Sequence, residues 1–254
     1  MIEFVKLYRP EEHNFIETYF KEVDEGLSNP NKSLPVKYNY DEEGSRICSE
    51  INFCEHYYLS NCEKEILGEQ GSSILSFIGK EKCNLVELGA GDGKKTQFLL
   101  EAAMKEGYDM EYVPIDISHD SNMVLAENLK EHLPNLKMTV ITALFEEGVE
   151  WVSKNKKERN VFCILGSTLG SFETEEIEKF FQWINNYMKT GDKFVIGMDM
   201  KKNPEIIQRA YFNESGLEKQ FIMNNIARIN KELEGTFNLE KFYPHSYFNP
   251  ETRY

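Results

Sequence analysis

The chain has 254 residues, a length typical of one α/β domain or of one domain with a small appendage. Hydrophobic residues make up 41% of it and aromatic residues 13%, which is enough to build a core and excludes a chain that is disordered throughout. The net charge of −14 at pH 7 disfavours nucleic acid and anionic membranes as partners, because both repel a protein of that sign. The N-terminal residues are charged and no apolar run is long enough to span a bilayer, so we expect a soluble, cytoplasmic protein.

The cysteine and histidine patterns predict no metal site. The five cysteines are odd in number and lack the paired spacing of zinc ligands. The five histidines include no HExxH motif and no comparable helical pair. These patterns favour reduced thiols, as expected in the cytosol.

Residues 1–83 contain many aromatic residues and helical patterns, and we assign them to an N-terminal helical segment. After them, short apolar runs alternate with helical patterns. The run at 84–89 predicts a first strand, and the apolar residues of 94–107 lie on one face of a predicted helix. A second strand is predicted at 111–118, followed by a helix that ends before Pro134.

Three further strands are predicted at 137–145, 160–167 and 193–200. Between the last two, acidic residues from Glu173 onward favour a helix start, and an apolar helical stripe follows. Residues 203–254 begin with more helical pattern. We interpret them as a helical cap over the strand ends.

Five strands separated by helices predict an α/β fold with a doubly wound, mostly parallel sheet, since parallel neighbours need crossovers whose helices cover both faces. Such sheets bind ligands at the carboxyl ends of their strands. The predicted domain organisation is an N-terminal helical segment on the substrate side (1–83), a ligand-binding core (84–202) and a C-terminal cap (203–254).

A glycine-rich turn joins the first predicted strand to its helix. Gly89, Gly91 and Gly93 stand at alternate positions, where glycine lets the backbone turn sharply and approach a ligand. The spacing differs from that of a Walker loop and from a clean GxGxxG, because the third glycine comes one residue early. With Glu87 two residues before the first glycine, the turn looks like motif I of class I S-adenosylmethionine-dependent methyltransferases. A plain strand-to-helix turn is the structural alternative.

The ends of the next two strands supply further candidates. Asp116 closes the second strand, where a carboxylate can accept hydrogen bonds from both hydroxyls of a ribose; alternatively, it only caps the next helix. Leu144 and Phe145 end the third strand, where such an enzyme holds adenine, or are ordinary core residues. The sequence therefore predicts a nucleoside site at the carboxyl edge of the sheet.

A wider set of motifs resembles, in order, the histidine-specific methyltransferase family, over nearly the whole chain. They are KSLPVKYNYDEEGS at 32–45, Glu-x-Tyr-Tyr at 55–58, LVELGAGDGKKT at 85–96, YVPIDIS at 112–118, ILGSTLGSF at 164–172, Gly-Met-Asp at 197–199 and ARINKEL at 227–233. Several motifs in the right order are far more specific than motif I alone. The resemblance implies a Rossmann-like class I methyltransferase core and S-adenosylmethionine as cofactor.

The resemblance also implies roles for particular residues. The cofactor contacts that it implies, together with the glycine turn, are Gly89, Gly91, Lys95, Asp116, Leu144 and Phe145. The residues implied on the side of a substrate amino acid are Tyr40, Tyr57, Ser171 and Tyr211. For each tyrosine, a core or rim aromatic is the structural alternative.

This sequence differs from the family pattern at three places. Leu144 stands where the family has aspartate, which removes an acceptor for the adenine amino group. Ser171 stands where the family has an asparagine that binds the substrate amino acid. The family pattern continues beyond Tyr254 with strands that complete the sheet and residues that bind imidazole, so these 254 residues show no source of histidine specificity.

The leading prediction is an S-adenosylmethionine-dependent N-methyltransferase that acts on the α-amine of histidine or a related amino acid. No catalytic base is assigned, because the amine can lose its proton to solvent before it binds. The first alternative is a non-catalytic paralogue or a subunit of a homo- or hetero-oligomer, which the three differences favour. A nicotinamide-dependent oxidoreductase is a weaker alternative, since a glycine-rich strand-to-helix turn also serves dinucleotides.

Overall fold

A parallel sheet of six strands lies at the centre of the first of two units into which the chain folds. The computed structural model describes residues 1–8, 14–172 and 174–245. The first unit, called here the sheet unit, contains residues 1–8 and 59–199. The second, called the helical unit, contains the described residues of 14–58 and 200–245.

The sheet has the order β1-β4-β3-β2-β5-β6, and every neighbouring pair is parallel. This arrangement confirms the predicted doubly wound α/β fold. The strands are β1 (Ile2–Lys6), β2 (Cys83–Leu88), β3 (Met110–Asp116), β4 (Lys137–Thr142), β5 (Arg159–Ile164) and β6 (Lys193–Ile196).

Six helices cover both faces of this sheet within the described residues, and all of their residues except Tyr58 belong to the sheet unit. They are α3 (Tyr58–Glu69), α4 (Gly71–Ile78), α5 (Thr96–Lys105), α6 (His119–His132), α7 (Phe145–Asn155) and α8 (Thr174–Asn185). Side chains alternate across β2, so that Leu85 packs into one apolar cluster with α3 to α6 and Val86 into another with α7 and α8. All six residues of β2 are buried. Leu85, Val86 and Leu88 supply the apolar side chains that a strand covered on both faces requires, and the polar Asn84 and Glu87 are buried beside them.

Strand β1 corrects the prediction that residues 1–83 are helical. It pairs along its whole length with β4, from Ile2 beside Met138 to Lys6 beside Thr142. The strand is short and lies at the edge of the sheet, and none of its residues is fully buried. The apolar signal of such a strand is weak, because only three of its five residues are apolar and the edge of the sheet is partly exposed to solvent.

The domain boundary predicted at residue 83 also differs from the structural division. Residues 59–83 belong to the sheet unit, because Leu67 of α3 and Leu75 of α4 are buried in the same apolar cluster as β2. Helix α7 was not assigned from the sequence. The helix after β3 begins at His119, two residues before its predicted start, and Ser118 caps it by accepting a hydrogen bond from the backbone N–H of Ser121.

The helical unit has a small aromatic core of its own. Its helices are α1 (Phe15–Ser28), α2 (Glu42–Ile51), α9 (Pro204–Tyr211) and α10 (Leu217–Glu232). The rings of Tyr19 and Tyr38 lie 4.1 Å apart between their centroids, and the guanidinium of Arg228 lies over both. The predicted helices after residue 203 are thus present, whereas their position as a cap stays a prediction. Within the described residues, no helix combines the length and apolar character needed to cross a bilayer.

Candidate functional site

The glycine-rich turn lies at the carboxyl end of β2, between that strand and α5. Gly89, Gly91 and Gly93 all have positive φ, at 75°, 58° and 71°, which side chains other than glycine rarely adopt. A Cβ on Gly93 would stand 2.8 Å from Leu125, so this glycine permits close packing of α6. A Cβ on Gly91 would meet nothing within 4 Å. The turn therefore has open space outside Gly91, as a ligand-binding turn needs.

Asp116 lies at the end of β3, directly beside this turn. One of its carboxylate oxygens accepts a hydrogen bond from the backbone N–H of Gly91 at 3.1 Å, and the other accepts one from Ser118 at 2.9 Å. Burial raises the pKa of Asp116 above the usual carboxyl value, and the backbone donors partly oppose that rise. Each oxygen keeps lone pairs for further donors. The structure therefore brings Asp116 and the glycine turn together, as predicted.

The next strand end adds an aromatic ring to the same edge. The ring of Phe145, the first residue of α7, lies 3.6 Å from the position that a Cβ on Gly89 would take. Leu144 precedes it in extended conformation and donates its backbone N–H to the carboxylate of Glu147 at 3.3 Å. The ring of Phe145 thus lies close to the start of the glycine turn, and the leucine presents no polar side-chain atom there.

Asn122 fixes the relative position of these strand ends. It is fully buried on α6, and its amide donates to the backbone oxygens of Asp116 and Ile141 at 3.3 and 3.2 Å. Sequence reasoning missed this residue, since an asparagine in a helix is more often exposed. Its position on the buried face, three residues before Leu125, was the available signal.

Glu87 carries a buried carboxylate in the middle of the sheet. Its side chain accepts hydrogen bonds from the hydroxyls of Thr96, at 2.7 to 2.8 Å, and of Tyr112. Burial raises its pKa to about 7, while the two hydroxyls and Lys95 favour the charged form. Since Thr96 is the first residue of α5, this carboxylate ties the far end of the glycine turn to β2 and β3.

Lys95 and Ser171, two further predicted site residues, are engaged with the protein itself. The ammonium of Lys95 forms an ion pair with Glu63 at 2.7 Å. The hydroxyl of Ser171 donates to the backbone oxygen of Thr168 at 2.8 Å, within a short 3-10 turn after β5. Glu63 is a residue that sequence reasoning missed.

The three predicted substrate tyrosines all lie in the helical unit. The rings of Tyr57 and Tyr211 pack edge to face with centroids 5.8 Å apart, and the two side chains share a hydrogen bond. Burial, with Tyr211, Cys48 and Tyr40 nearby, raises the pKa of Tyr57 well above its usual value. Tyr40 and Tyr211 are 39% and 40% exposed, so their rings are accessible to a ligand. The structure brings these tyrosines together, and their role toward a substrate stays a prediction.

The comparison with known families identifies the class of protein in which this glycine turn occurs. Residues 19–254 match the family described as histidine-specific, SAM-dependent methyltransferases. SAM stands for S-adenosylmethionine. The chain belongs to this family. The predicted family, enzyme class and cofactor are therefore confirmed: the protein is a SAM-dependent methyltransferase.

Curated relatives include two mycobacterial proteins named histidine N-alpha-methyltransferase. The one from Mycobacterium tuberculosis is 31% identical and the one from Mycolicibacterium smegmatis 28%, each over 87% of this chain and 68% of the relative. The 4-dimethylallyltryptophan N-methyltransferase easF of Claviceps purpurea is 27% identical over 76% of this chain and 59% of its own length. The solved structure of the O-methyltransferase TomG from Streptomyces achromogenes has 13% identity and a TM-score of 0.42, over 91% of this chain and 89% of that one.

The residues at the carboxyl edge of the sheet fit SAM in three respects. The backbone at Gly91 is open to an approaching ligand, since a Cβ there would meet nothing within 4 Å. Asp116 presents a carboxylate with unused lone pairs beside Gly91. Phe145 supplies a ring next to Gly89, against which a flat base can pack. The individual contacts remain predictions from the sequence.

Proposed function

We propose that this protein transfers a methyl group from SAM to the α-amine of histidine or a related amino acid. The single observation that carries the proposal is the family match over residues 19–254, joined to a glycine turn and an Asp116 carboxylate that meet at one strand edge. The names of the relatives support an amino acid as acceptor, since they include N-methyltransferases of histidine and of 4-dimethylallyltryptophan.

On the cofactor side, the residues of this chain bind SAM and orient it. We assign the ribose to Asp116, the adenine to the neighbourhood of Phe145 and Leu144, and the amino-acid end to Lys95 and the turn at Gly89. SAM supplies an electrophilic methyl group on a positively charged sulfur. No covalent bond to the protein is needed, so most of the rate arises from holding the acceptor nitrogen in line with that methyl group.

On the acceptor side, tyrosine hydroxyls supply the polar contacts. The raised pKa of Tyr57 means that its hydroxyl keeps its proton at neutral pH. Tyr57 therefore acts as a hydrogen-bonding group and not as a base. Tyr211, hydrogen-bonded to it, and Tyr40 are assigned to the same amino acid, and Ser171 keeps its predicted role as a substrate contact. The proton of the amine leaves to solvent before the amine binds.

The test is mass spectrometry of amino acids incubated with the protein and methyl-labelled SAM. We expect the label on the α-nitrogen of histidine or of a related amino acid. The amino acids tested are the twenty standard ones and 4-dimethylallyltryptophan, because the names of the relatives include histidine and 4-dimethylallyltryptophan. Binding of SAM with no labelled product from any of them would contradict the proposal.

A second candidate is a methyltransferase-fold protein that binds the cofactor without catalysing transfer, alone or as a subunit of a complex. Leu144 and Ser171 favour it. Leu144 replaces the aspartate of the family pattern by an apolar side chain, and Ser171 replaces the asparagine by a shorter polar one. The same experiment separates the two candidates. S-adenosylhomocysteine binding in the absence of any product supports the second one.

Leu144→Asp is expected to tighten the binding of S-adenosylhomocysteine by about tenfold. A carboxylate at this position restores an acceptor for the adenine amino group and also caps α7, whose N-cap residue is Leu144. Isothermal titration calorimetry measures the change. Leu144→Ala is the control, since it removes the leucine without adding an acceptor, and equal affinities of the two variants would argue against an adenine contact here.

A further inference from the structure

Glu63 places a carboxylate on the buried face of α3. It lies four residues after Leu59 and four before Leu67, both of which are buried, so the three side chains share one helical face. The side chain of Glu63 is only 13% exposed. A carboxylate in such a position costs free energy unless charged and hydrogen-bonding partners compensate it. Its partners therefore indicate why it is there.

Those partners come from two strand ends. One oxygen of Glu63 accepts a hydrogen bond from the ammonium of Lys95 at 2.7 Å. The backbone N–H of Gly166 donates to the same carboxylate, 2.7 and 2.9 Å from its two oxygens. Lys95 immediately precedes α5 and Gly166 follows β5. Glu63 thus joins α3, the glycine turn and the loop after β5.

Two glycines leave the space that this ion pair occupies. A Cβ on Gly166 would stand 2.8 Å from the ammonium of Lys95, and φ at Gly166 is +73°. A Cβ on Gly197, just after β6, would collide with a carboxylate oxygen of Glu63. Side chains at either position would push the pair apart. The carboxyl ends of three neighbouring strands are therefore shaped around Glu63 and Lys95.

We propose that Glu63 is a positioning residue for the cofactor, which holds the Lys95 ammonium in place to bind the carboxylate at the amino-acid end of SAM. A lysine has a flexible stem and three donors, and one fixed partner orients the other two. A lone Lys95 would have to be ordered by the ligand itself, which weakens binding. This inference rests on the proposed function, because it assigns the ligand of the same site.

The experiment compares two ligands that share adenosine and differ at the other end. S-adenosylhomocysteine carries the amino-acid group, whereas 5′-methylthioadenosine lacks it. For Glu63→Gln, which keeps the side-chain volume, calorimetry is expected to show about tenfold weaker binding of S-adenosylhomocysteine and no more than about a twofold change for methylthioadenosine. Glu65→Gln, at an exposed position of the same helix, is the matched control and should change neither.

Lys95→Met tests whether Glu63 acts through the lysine. In that background, adding Glu63→Gln should cost no further affinity, because the group that it positions is gone. Equal weakening of both ligands by Glu63→Gln would show a role in the fold alone and overturn the proposal, as would unchanged binding of S-adenosylhomocysteine. If the wild-type protein binds neither ligand, the proposed function itself fails. If Glu63→Gln does not fold, Glu63→Asp takes its place: it keeps the charge but is one methylene shorter, so it should weaken S-adenosylhomocysteine alone, and equal binding of both ligands to Glu63→Asp and wild type would overturn the proposal.

Discussion

Asp116→Ala is expected to weaken the binding of S-adenosylhomocysteine by about 100-fold, or about 3 kcal/mol. The variant loses a charged acceptor for two ribose hydroxyls, and hydrogen bonds to a charged group contribute more than neutral ones. It also leaves the backbone N–H groups of Gly91 and Ser118 without their acceptor, so the glycine turn loses its hydrogen bond to the end of β3. Isothermal titration calorimetry measures the loss directly.

The matched control is Asp120→Ala, at an exposed position in the first turn of α6. It removes the same charge from the same region without touching the turn, and its affinity should stay within about twofold of wild type. Methylthioadenosine gives a second check, because it keeps the ribose. Asp116→Ala should weaken both ligands alike, in contrast to Glu63→Gln. A selective loss of S-adenosylhomocysteine would contradict the ribose assignment.

The pH dependence of wild-type binding follows from the same carboxylate. Burial raises the pKa of Asp116, so the group takes up a proton at a higher pH than an ordinary aspartate does. The protonated form accepts hydrogen bonds less well, and ligand hydroxyls favour the carboxylate. Affinity should therefore fall as pH decreases through the raised pKa. Asp116→Asn, which has no titrating group, should lose this acid-side dependence.

Most of the sheet could be predicted from the sequence because its central strands are buried on both faces. The runs are mostly apolar: in β2, Leu85, Val86 and Leu88 carry the signal although Asn84 and Glu87 are polar, and a glycine or a helical pattern marks where each run ends. β1 lacked this signal, because its five residues include the charged Glu3 and Lys6 and none of them is fully buried. α7 was not assigned from its sequence, although Val149 and Val152 pack into the core. The predicted strands extend past the observed ends, because apolar residues continue into the loops.

Some residues of the candidate site could likewise be located from the sequence, whereas others could not. The positions of Gly89, Gly91 and Asp116 beside the strand ends could be predicted, because each stands at a fixed distance from the end of an apolar run. Glu63 and Asn122 could not be identified, since their importance depends on partners that lie 32 and 19 residues away along the chain. A polar residue at helical spacing among buried apolar ones was the only local sign. That sign shows burial but not the partner.

The free energy of unfolding of the wild-type protein is expected to fall by about 3 kcal/mol, relative to Glu87→Gln, between about pH 4.5 and pH 7. The folded state holds Glu87 with a pKa of about 7, whereas an unfolded chain has the ordinary value of 4.5. Between these values the folded state keeps a proton that the unfolded state has released. Raising the pH therefore favours unfolding, until Glu87 is ionised in both states and the loss is complete.

Urea denaturation at pH 5, 6, 7 and 8 measures this difference. The comparison of the two proteins cancels the titration of all other groups, and Glu87→Gln keeps an oxygen that can accept from Thr96 or Tyr112. Glu65→Gln, at an exposed position, is the control and should follow the wild-type profile. Parallel profiles for wild type and Glu87→Gln would show that Glu87 is ionised throughout this range.

The location of Glu87 connects this titration to the cofactor site. Thr96, which donates to it, begins α5 directly after the glycine turn, and Lys95 beside it favours the charged carboxylate. A ligand carboxylate that binds Lys95 would reduce that favourable field and raise the pKa of Glu87 further. S-adenosylhomocysteine should therefore shift the titration of Glu87 to higher pH, whereas methylthioadenosine should not. NMR titration of the Glu87 carboxyl carbon measures the pKa of Glu87 with each ligand. Equal pKa shifts with the two ligands would show that a ligand carboxylate at Lys95 is not the cause.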